Sequence, residues 1–134
     1  MPGIVPRPSR VAVCDALKVV LLDDVTVHLY QNDVAPGPDT VVGDLTEADF
    51  SGYAASAALV FGGPFQNADG EIEMDLPSHQ FDHSGGAVAN VIFGYYVLTT
   101  GGDLLFAERF AASIPMIVIT NSIVVLPRFS LESP

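Results

Sequence analysis

Residues 87–99 read AVANVIFGYYVLT, and this stretch decides the fold class. It is almost continuously apolar and rich in β-branched and aromatic residues, a pattern typical of a strand that is covered on both faces. We therefore predict a central strand here, or a strand that forms an interface between chains. The Gly101–Gly102 pair that follows is a hairpin signal, so the chain should return as a second strand over Leu104–Phe110.

Other segments alternate with the period of two that is typical of half-buried strands. In the clearest, Val25, Val27 and Leu29 alternate with polar residues. Further strands are predicted, with less regular patterns in some cases, over Tyr53–Phe61, Glu71–Leu76 and Gln80–Asp82. A hairpin around Asn121–Ser122 is predicted to join two more strands, Ile114–Thr120 and Ile123–Phe129. Loops are predicted at Gln31–Thr40 and Gly62–Gly70, and a short helical turn at Thr46–Phe50.

The N-terminal part of the chain has a different pattern. Residues 1–10 contain Pro2, Pro6 and Pro8, which favour an extended arm. After Ser9, a candidate helix cap, apolar residues with helical spacing predict one amphipathic helix over about residues 11–22: Val13, Ala16, Leu17, Val20 and Leu21. Residues 11–134 then form a single β-rich domain. We predict a mostly β fold: an antiparallel β-sandwich or partly closed barrel of about eight strands, with one short N-terminal helix and an extended Pro-rich arm.

Composition and charge exclude several classes of protein. The chain has 134 residues, of which 49% are hydrophobic and 16% charged, so it is neither disordered nor a coiled coil. Its formal charge is −11, and no Lys or Arg occurs between Lys18 and Arg109. That interval holds 14 of the 16 acidic residues, whereas the arm carries Arg7 and Arg10 and no acid. A basic arm on an acidic body disfavours nucleic acid and suits a protein partner.

Sequence signals for processing and membrane insertion are lacking. Cys14 is the one cysteine, so no internal disulfide forms, and its apolar helical context predicts a buried side chain. We see no signal peptide and no apolar run of about 20 residues, so we expect no membrane association.

The search for catalytic or metal motifs finds only nonspecific candidates. Four oxygen-bearing side chains at a spacing of two could bind calcium: Asn67, Asp69, Glu71 and Glu73. Their spacing does not match that of an EF-hand calcium loop. His79, Asp82 and His83 lack a cysteine nearby to complete a zinc site. The paired carboxylates are too common to indicate a glycosidase by themselves: Asp23 with Asp24, Asp44 with Asp49, and Glu71 with Glu73.

Two further polar residues have structural interpretations. His28 lies on the polar side of its strand with no Ser or Cys partner suggested, which indicates a surface histidine. Arg109 is one of five cations, so we expect its guanidinium to meet a carboxylate from elsewhere in the acidic body. We therefore predict no catalytic residue, no cofactor and no metal site.

Three blocks of sequence look familiar together: Leu29–Asp33, running through Pro38 to Leu45–Ala54; Ile92–Val97; and Gly102–Phe110 followed by Val125–Leu131. In this order they resemble small virion structural proteins of tailed bacteriophages. Such proteins are often encoded among the head genes, and some act as capsid decoration, or cement, proteins. The resemblance covers most of the chain from about Val11 onward, and its motifs are structural rather than catalytic.

The resemblance implies a non-enzymatic virion protein on the capsid surface, whose partners are the major capsid protein and further copies of itself, as a homotrimer. On composition alone, the arm is the candidate partner-binding segment, through Ile4, Val5, Pro6, Arg7 and Arg10. The alternative is a tail, fibre or spike component that binds host surface polysaccharide; a small carboxylate-dependent hydrolase is the least favoured. Because one domain of this size has a limited interior, we assign part of the apolar excess in Val88–Leu98 and Ile114–Ile119 to interfaces between chains.

Overall fold

A computed structural model describes residues 25–37, 39–60, 62–66, 72–99 and 101–131. The predicted arm (residues 1–10), the predicted helix (about 11–22) and Cys14 lie outside these residues, as do Asn67, Asp69 and Glu71 of the tested calcium spacing. Within the described ranges, no helix has the length and apolarity that crossing a membrane requires.

Over the described residues, strands and one 3₁₀ turn (Val42–Asp44) make up the regular structure. The strands are β1 (Thr26–Tyr30), β2 (Gly62–Gln66), β3 (Ile72–Asp75), β4 (His79–Asp82), β5 (Asn90–Leu98), β6 (Leu104–Met116), β7 (Ser122–Val125) and β8 (Arg128–Leu131). They form three antiparallel sheets with the orders β1-β5-β6, β2-β3-β8 and β4-β7. The mostly β, antiparallel prediction is confirmed, but over the described residues the sheets do not close into a barrel.

The stretch that begins at residue 87 forms the centre of the largest sheet, as predicted. β5 pairs with β1 on one side and β6 on the other, and Tyr95, Tyr96 and Val97 are buried in succession. Consecutive strand residues point to opposite faces, so both faces of β5 are covered. One face packs into the main core, which also includes residues of β4 and β7, namely Phe81, Ile123 and Val125. The other face forms a smaller cluster of Tyr30, Leu45 and Tyr96.

The segment between β1 and β2 differs from its prediction. We expected a helical turn at Thr46–Phe50 and a strand at Tyr53–Phe61, and both predictions are wrong for the described residues. Residues 46–59, here called the strap, run beside the outer edge of β1 without forming a continuous strand. The Ala48 N–H donates to the Leu29 carbonyl at 2.9 Å, and the Ser56 N–H donates to the Val27 carbonyl at 3.0 Å. These bonds hold the two ends of the strap against β1, while between them the Tyr53 N–H donates to the Phe50 carbonyl at 2.9 Å and closes a tight turn.

Two other boundaries differ from prediction. Residues 62–66 form β2 where we expected a loop, because they pair with β3. Ile114–Met116 continue β6, since they pair with Asn90–Ile92, so the predicted hairpin around Asn121–Ser122 does not form. β7 pairs with β4 and β8 pairs with β3 instead. The register of the β5–β6 pair also shifts between Ile92 and Gly94 of β5. This irregularity lets the long β6 strand bend.

Candidate functional site

A chain of polar side chains joins β1 to the strap. His28 Nε2 lies 2.7 Å from Thr26 Oγ1, and His28 Nδ1 lies 2.5 Å from Glu47 Oε2. The Tyr53 hydroxyl donates to the same Glu47 oxygen at 2.7 Å and accepts the Leu29 N–H at 3.2 Å. Strand alternation places Thr26 and His28 on one face, which is the local signal that sequence reasoning missed. The partners of His28 are thus a threonine and a glutamate, with no Ser or Cys among them as expected, but the prediction of a surface position is wrong because the side chain is 12% exposed.

The His28 ring is packed as well as hydrogen-bonded. It stacks on Tyr96 with 5.0 Å between ring centroids and 14° between planes. Its side chain is 12% exposed, whereas that of Glu47 is 43% exposed. The order hydroxyl, imidazole, carboxylate resembles a nucleophile activated by a base. Every member except Thr26 contacts a second element, however, so we interpret the chain of bonds as the attachment of the strap to the sheet.

Burial and this carboxylate act together on two tyrosines. Burial raises the pKa of the Tyr53 hydroxyl well above its ordinary value of 10.0, and the hydrogen bond it donates to Glu47 raises it further. Burial likewise raises the pKa of Tyr96, and the negative charge of Glu47 adds to the effect. In both cases the tyrosinate form is penalised, so these hydroxyls remain protonated donors.

The remaining candidate histidines do not converge on a metal centre. His83 is buried: its Nε2 lies 3.0 Å from the Val88 carbonyl and its Nδ1 accepts the Gly85 N–H. His79 instead packs edge-on against Phe81. Within the described ranges, no group of three His, Cys, Asp or Glu side chains could hold a metal ion.

Two candidate carboxylates have structural partners. Asp49 Oδ1 accepts from the Asn90 amide at 2.9 Å, and Asp44 Oδ2 accepts the Val41 N–H at 3.0 Å. The prediction for Arg109 is confirmed, because its Nη2 lies 2.5 Å from Asp33 Oδ1. The guanidinium also lies over the Phe93 ring, 5.4 Å from its centroid.

Four of the exposed large apolar side chains lie at one end of the β5–β6 pair. Ile117, Val118 and Ile119 form the turn after β6 and are 52%, 51% and 68% exposed. Val88, just before β5, is also exposed, and Gly85 lies against Ile119. We call Val88 and Ile117–Ile119 the apolar tip. Turns are normally built from polar residues and glycine, so three branched apolar residues in one turn are unusual.

The apolar tip is held by one asparagine. Asn121 Oδ1 accepts the N–H groups of Ile117 and Val118, both at 2.9 Å, and the Asn121 N–H donates to the Val118 carbonyl. The Asn121 carbonyl also accepts the His83 N–H at 3.2 Å. The turn is therefore fixed to β4 while its side chains face solvent. The two apolar runs Val88–Leu98 and Ile114–Ile119 are therefore divided between interior and surface. Residues such as Ile92 and Met116 are buried, whereas the residues of the apolar tip are exposed.

Among the described residues, the surface away from the apolar tip includes two cavities of note. One, of about 240 Å³, is lined by Gly52–Ala55 of the strap and by β4. The other, of about 470 Å³, lies between the loop before the 3₁₀ turn and the start of β6; we call it the β6 groove. Its lining is Pro36, Gly37 and Thr40 on one side and Leu104–Ala107 on the other.

Comparison of the chain with protein-family models, with curated proteins and with solved structures found no match. The functional proposal therefore depends on the sequence pattern and on the geometry above. The predicted contact residues Ile4, Val5, Pro6, Arg7 and Arg10 lie outside the described residues.

Proposed function

We propose that the chain is a non-enzymatic structural protein of a tailed-bacteriophage virion, which binds the outside of the capsid as a decoration protein and stabilises the shell. The observation that carries this proposal is the apolar tip. Ile117, Val118 and Ile119 are exposed on a turn that Asn121 holds in one conformation. A rigid apolar projection loses little conformational entropy on binding, which favours a permanent contact.

The energetics of such a contact are favourable. Full burial of one branched apolar side chain contributes roughly 1.5–3 kcal/mol. A stable interface buries about 800 Å² on each partner, so the tip would form its centre and the surrounding polar surface its rim. A protein bound across neighbouring capsid subunits stabilises the shell because its binding free energy is lost when the subunits separate.

The proposal includes an assembly of three copies on the capsid surface. The resemblance described above implies a homotrimer, since decoration proteins commonly occupy threefold positions. The net charge of −11 keeps free copies soluble before they bind. It also requires that the contact surface on the capsid be apolar or basic, because a second acidic surface would be repelled.

The cavity beside β4 favours one alternative, a tail or spike component that binds polysaccharide. Its lining combines the Tyr53 ring with polar groups of Gln80 and Asp82. Sugar sites use such combinations of an aromatic face and hydrogen-bonding groups. The apolar tip has no role in this alternative, which is why we prefer the capsid.

A binding experiment separates the two functions. Purified full-length protein is mixed with capsids that lack decoration, and bound copies are counted after sedimentation; the same protein is applied to a glycan array. Decoration predicts saturable capsid binding at an icosahedral copy number and no glycan signal. Specific glycan binding without capsid binding would overturn the proposal in favour of the alternative.

A further inference from the structure

The side chains that form the floor of the β6 groove are apolar, whereas backbone groups and the Thr40 hydroxyl make up the larger part of its lining surface. Leu104, Leu105, Phe106 and Ala107 line one side and Pro36 the other, and its volume of about 470 Å³ is in the range of small-ligand sites. Leu104 and Ala107 pack toward the smaller core cluster, whereas Leu105 and Phe106 pack toward the main core. The groove therefore runs across the edge of β6 rather than over one face of the sheet.

The surroundings of the groove are acidic. Asp39 directly precedes the lining residue Thr40, and Asp103 directly precedes Leu104; both carboxylates are exposed. No Lys or Arg occurs between Lys18 and Arg109. Arg109, the cation of β6, is paired with Asp33. The groove thus fits a segment that is apolar and basic.

The chain itself contains one segment of that chemistry. Residues 4–10 read IVPRPSR, with two branched apolar residues, two prolines, two arginines and no acid. Proline restricts the backbone before binding, so a Pro-containing segment loses less entropy when it docks in an apolar, aromatic-lined groove. The three prolines of the arm occupy positions 2, 6 and 8.

We infer that residues 4–10 of one copy dock in the β6 groove of a neighbouring copy, with Ile4 and Val5 on the apolar floor and Arg7 and Arg10 near Asp39 and Asp103. This inference rests on the proposed function, which requires several copies. Over the described residues, β6 is one edge strand of its sheet and β1 is the opposite edge. An arm passed to the next copy is a heterologous contact, which forms a closed trimer when each copy is rotated by a third of a turn relative to the last.

Site-directed cross-linking tests the inference. In full-length chains that carry Cys14→Ser, one copy receives Ser9→Cys and a second, mass-labelled copy receives Leu105→Cys. After mixing and mild oxidation, mass spectrometry should find the disulfide-linked peptide pair 9–105 between the two copies. A matched partner with Val124→Cys, at an exposed valine of β7, should give little of the 9–124 pair. Equal linkage to both positions, or to neither, would overturn the docking.

Charge reversal tests its chemistry. Asp39→Lys with Asp103→Lys should lower the 9–105 linkage about tenfold, equivalent to about 1.4 kcal/mol, and Arg7→Glu with Arg10→Glu on the other copy should restore it. Asp82→Lys, at an exposed carboxylate of β4, should have no effect.

A chain carrying both Ser9→Cys and Leu105→Cys that links only within itself would also overturn the inference. Cross-linking without capsid binding would leave the docking intact and reject the proposed function.

Discussion

Gly94 of β5 lies directly opposite Tyr30 of β1, and the Tyr30 ring fills the space that a side chain at position 94 would need. A Cβ at Gly94 would lie 2.5 Å from the Tyr30 hydroxyl oxygen and 2.6 Å from Tyr30 Cε1, and it would also meet the Glu108 carbonyl. The Tyr30 hydroxyl donates to the Val34 carbonyl at 3.0 Å. The absence of a side chain at Gly94 therefore permits the contact between β1, β5 and the following loop.

Gly94→Ala should consequently be strongly destabilising. The added methyl group meets the backbone of β6 as well as the Tyr30 ring, so we expect the free energy of unfolding to fall by about 3 kcal/mol, the upper range for overpacking. The measurement is a urea unfolding curve. Gly43→Ala is the matched control, because a Cβ there meets nothing within 4 Å. Equal midpoints for the two variants would contradict this account of β5.

Glu47 should stabilise the strap through two partners at once. Glu47→Ala removes the acceptor of Tyr53 and the carboxylate beside His28, and we expect it to lower the free energy of unfolding by about 2 kcal/mol. In a double-mutant cycle with Tyr53→Phe, the two losses should not add, because both variants remove the same hydrogen bond. Additive losses would mean that this bond contributes nothing to stability.

Alkaline pH should weaken the fold through its tyrosines. The pKa values of Tyr53, Tyr96 and Tyr30 are all raised in the folded state, chiefly by burial. Above pH 10 the unfolded chain loses these protons while the folded chain keeps them, so unfolding becomes more favourable as pH rises. The stabilising contribution is complete below pH 10 and is lost progressively above it.

Urea midpoints measured between about pH 8 and about pH 11 test this dependence. Tyr53→Phe should fall less steeply than the unaltered protein, because one of the contributing hydroxyls is gone. Identical slopes for the two proteins would show that the Tyr53 hydroxyl ionises equally easily in both states.

The apolar tip should matter for binding and not for folding. Ile117→Ser with Ile119→Ser changes exposed side chains, so we expect a change in the free energy of unfolding within about 0.5 kcal/mol. Capsid binding should weaken by about tenfold or more, since two apolar contacts are lost. Val124→Ser, at a valine that is 63% exposed on β7, is the control and should bind normally. Equal binding by all three proteins would remove the tip from the interface.

The sequence predicts those parts of the fold that depend on local pattern. Val25, Val27 and Leu29 alternate and are fully buried, and the apolar run of β5 is central as its composition indicates. The strap could not be predicted, because its conformation is set by hydrogen bonds to β1 rather than by its own residues. The pairing of β7 with β4 is likewise determined by distant partners, whereas the local turn residues at Asn121–Ser122 indicated a hairpin.

The candidate sites also combine features that a local sequence pattern predicts with features that depend on distant residues. A short sequence pattern identified Ile114–Ile119 as too apolar for the interior, yet only the structure separates buried Met116 from exposed Ile117. The contact of Arg109 with a carboxylate followed from the scarcity of cations, but its partner Asp33 lies 76 residues earlier in the chain, from the difference 109 − 33. No local pattern encodes such a partner, and the same holds for Glu47 beside His28.

The most direct test of the proposed function is the position of this chain in an intact virion. The proposal requires that a tailed phage encodes the chain, and it predicts that cryo-electron microscopy of that phage's particles shows the density of the chain on the outer capsid surface. The copies should follow icosahedral symmetry, grouped in threes, with the apolar tip of each copy in an interface. Density confined to the tail, a fibre or a spike, or a capsid whose outer surface lacks this density, would contradict the proposal.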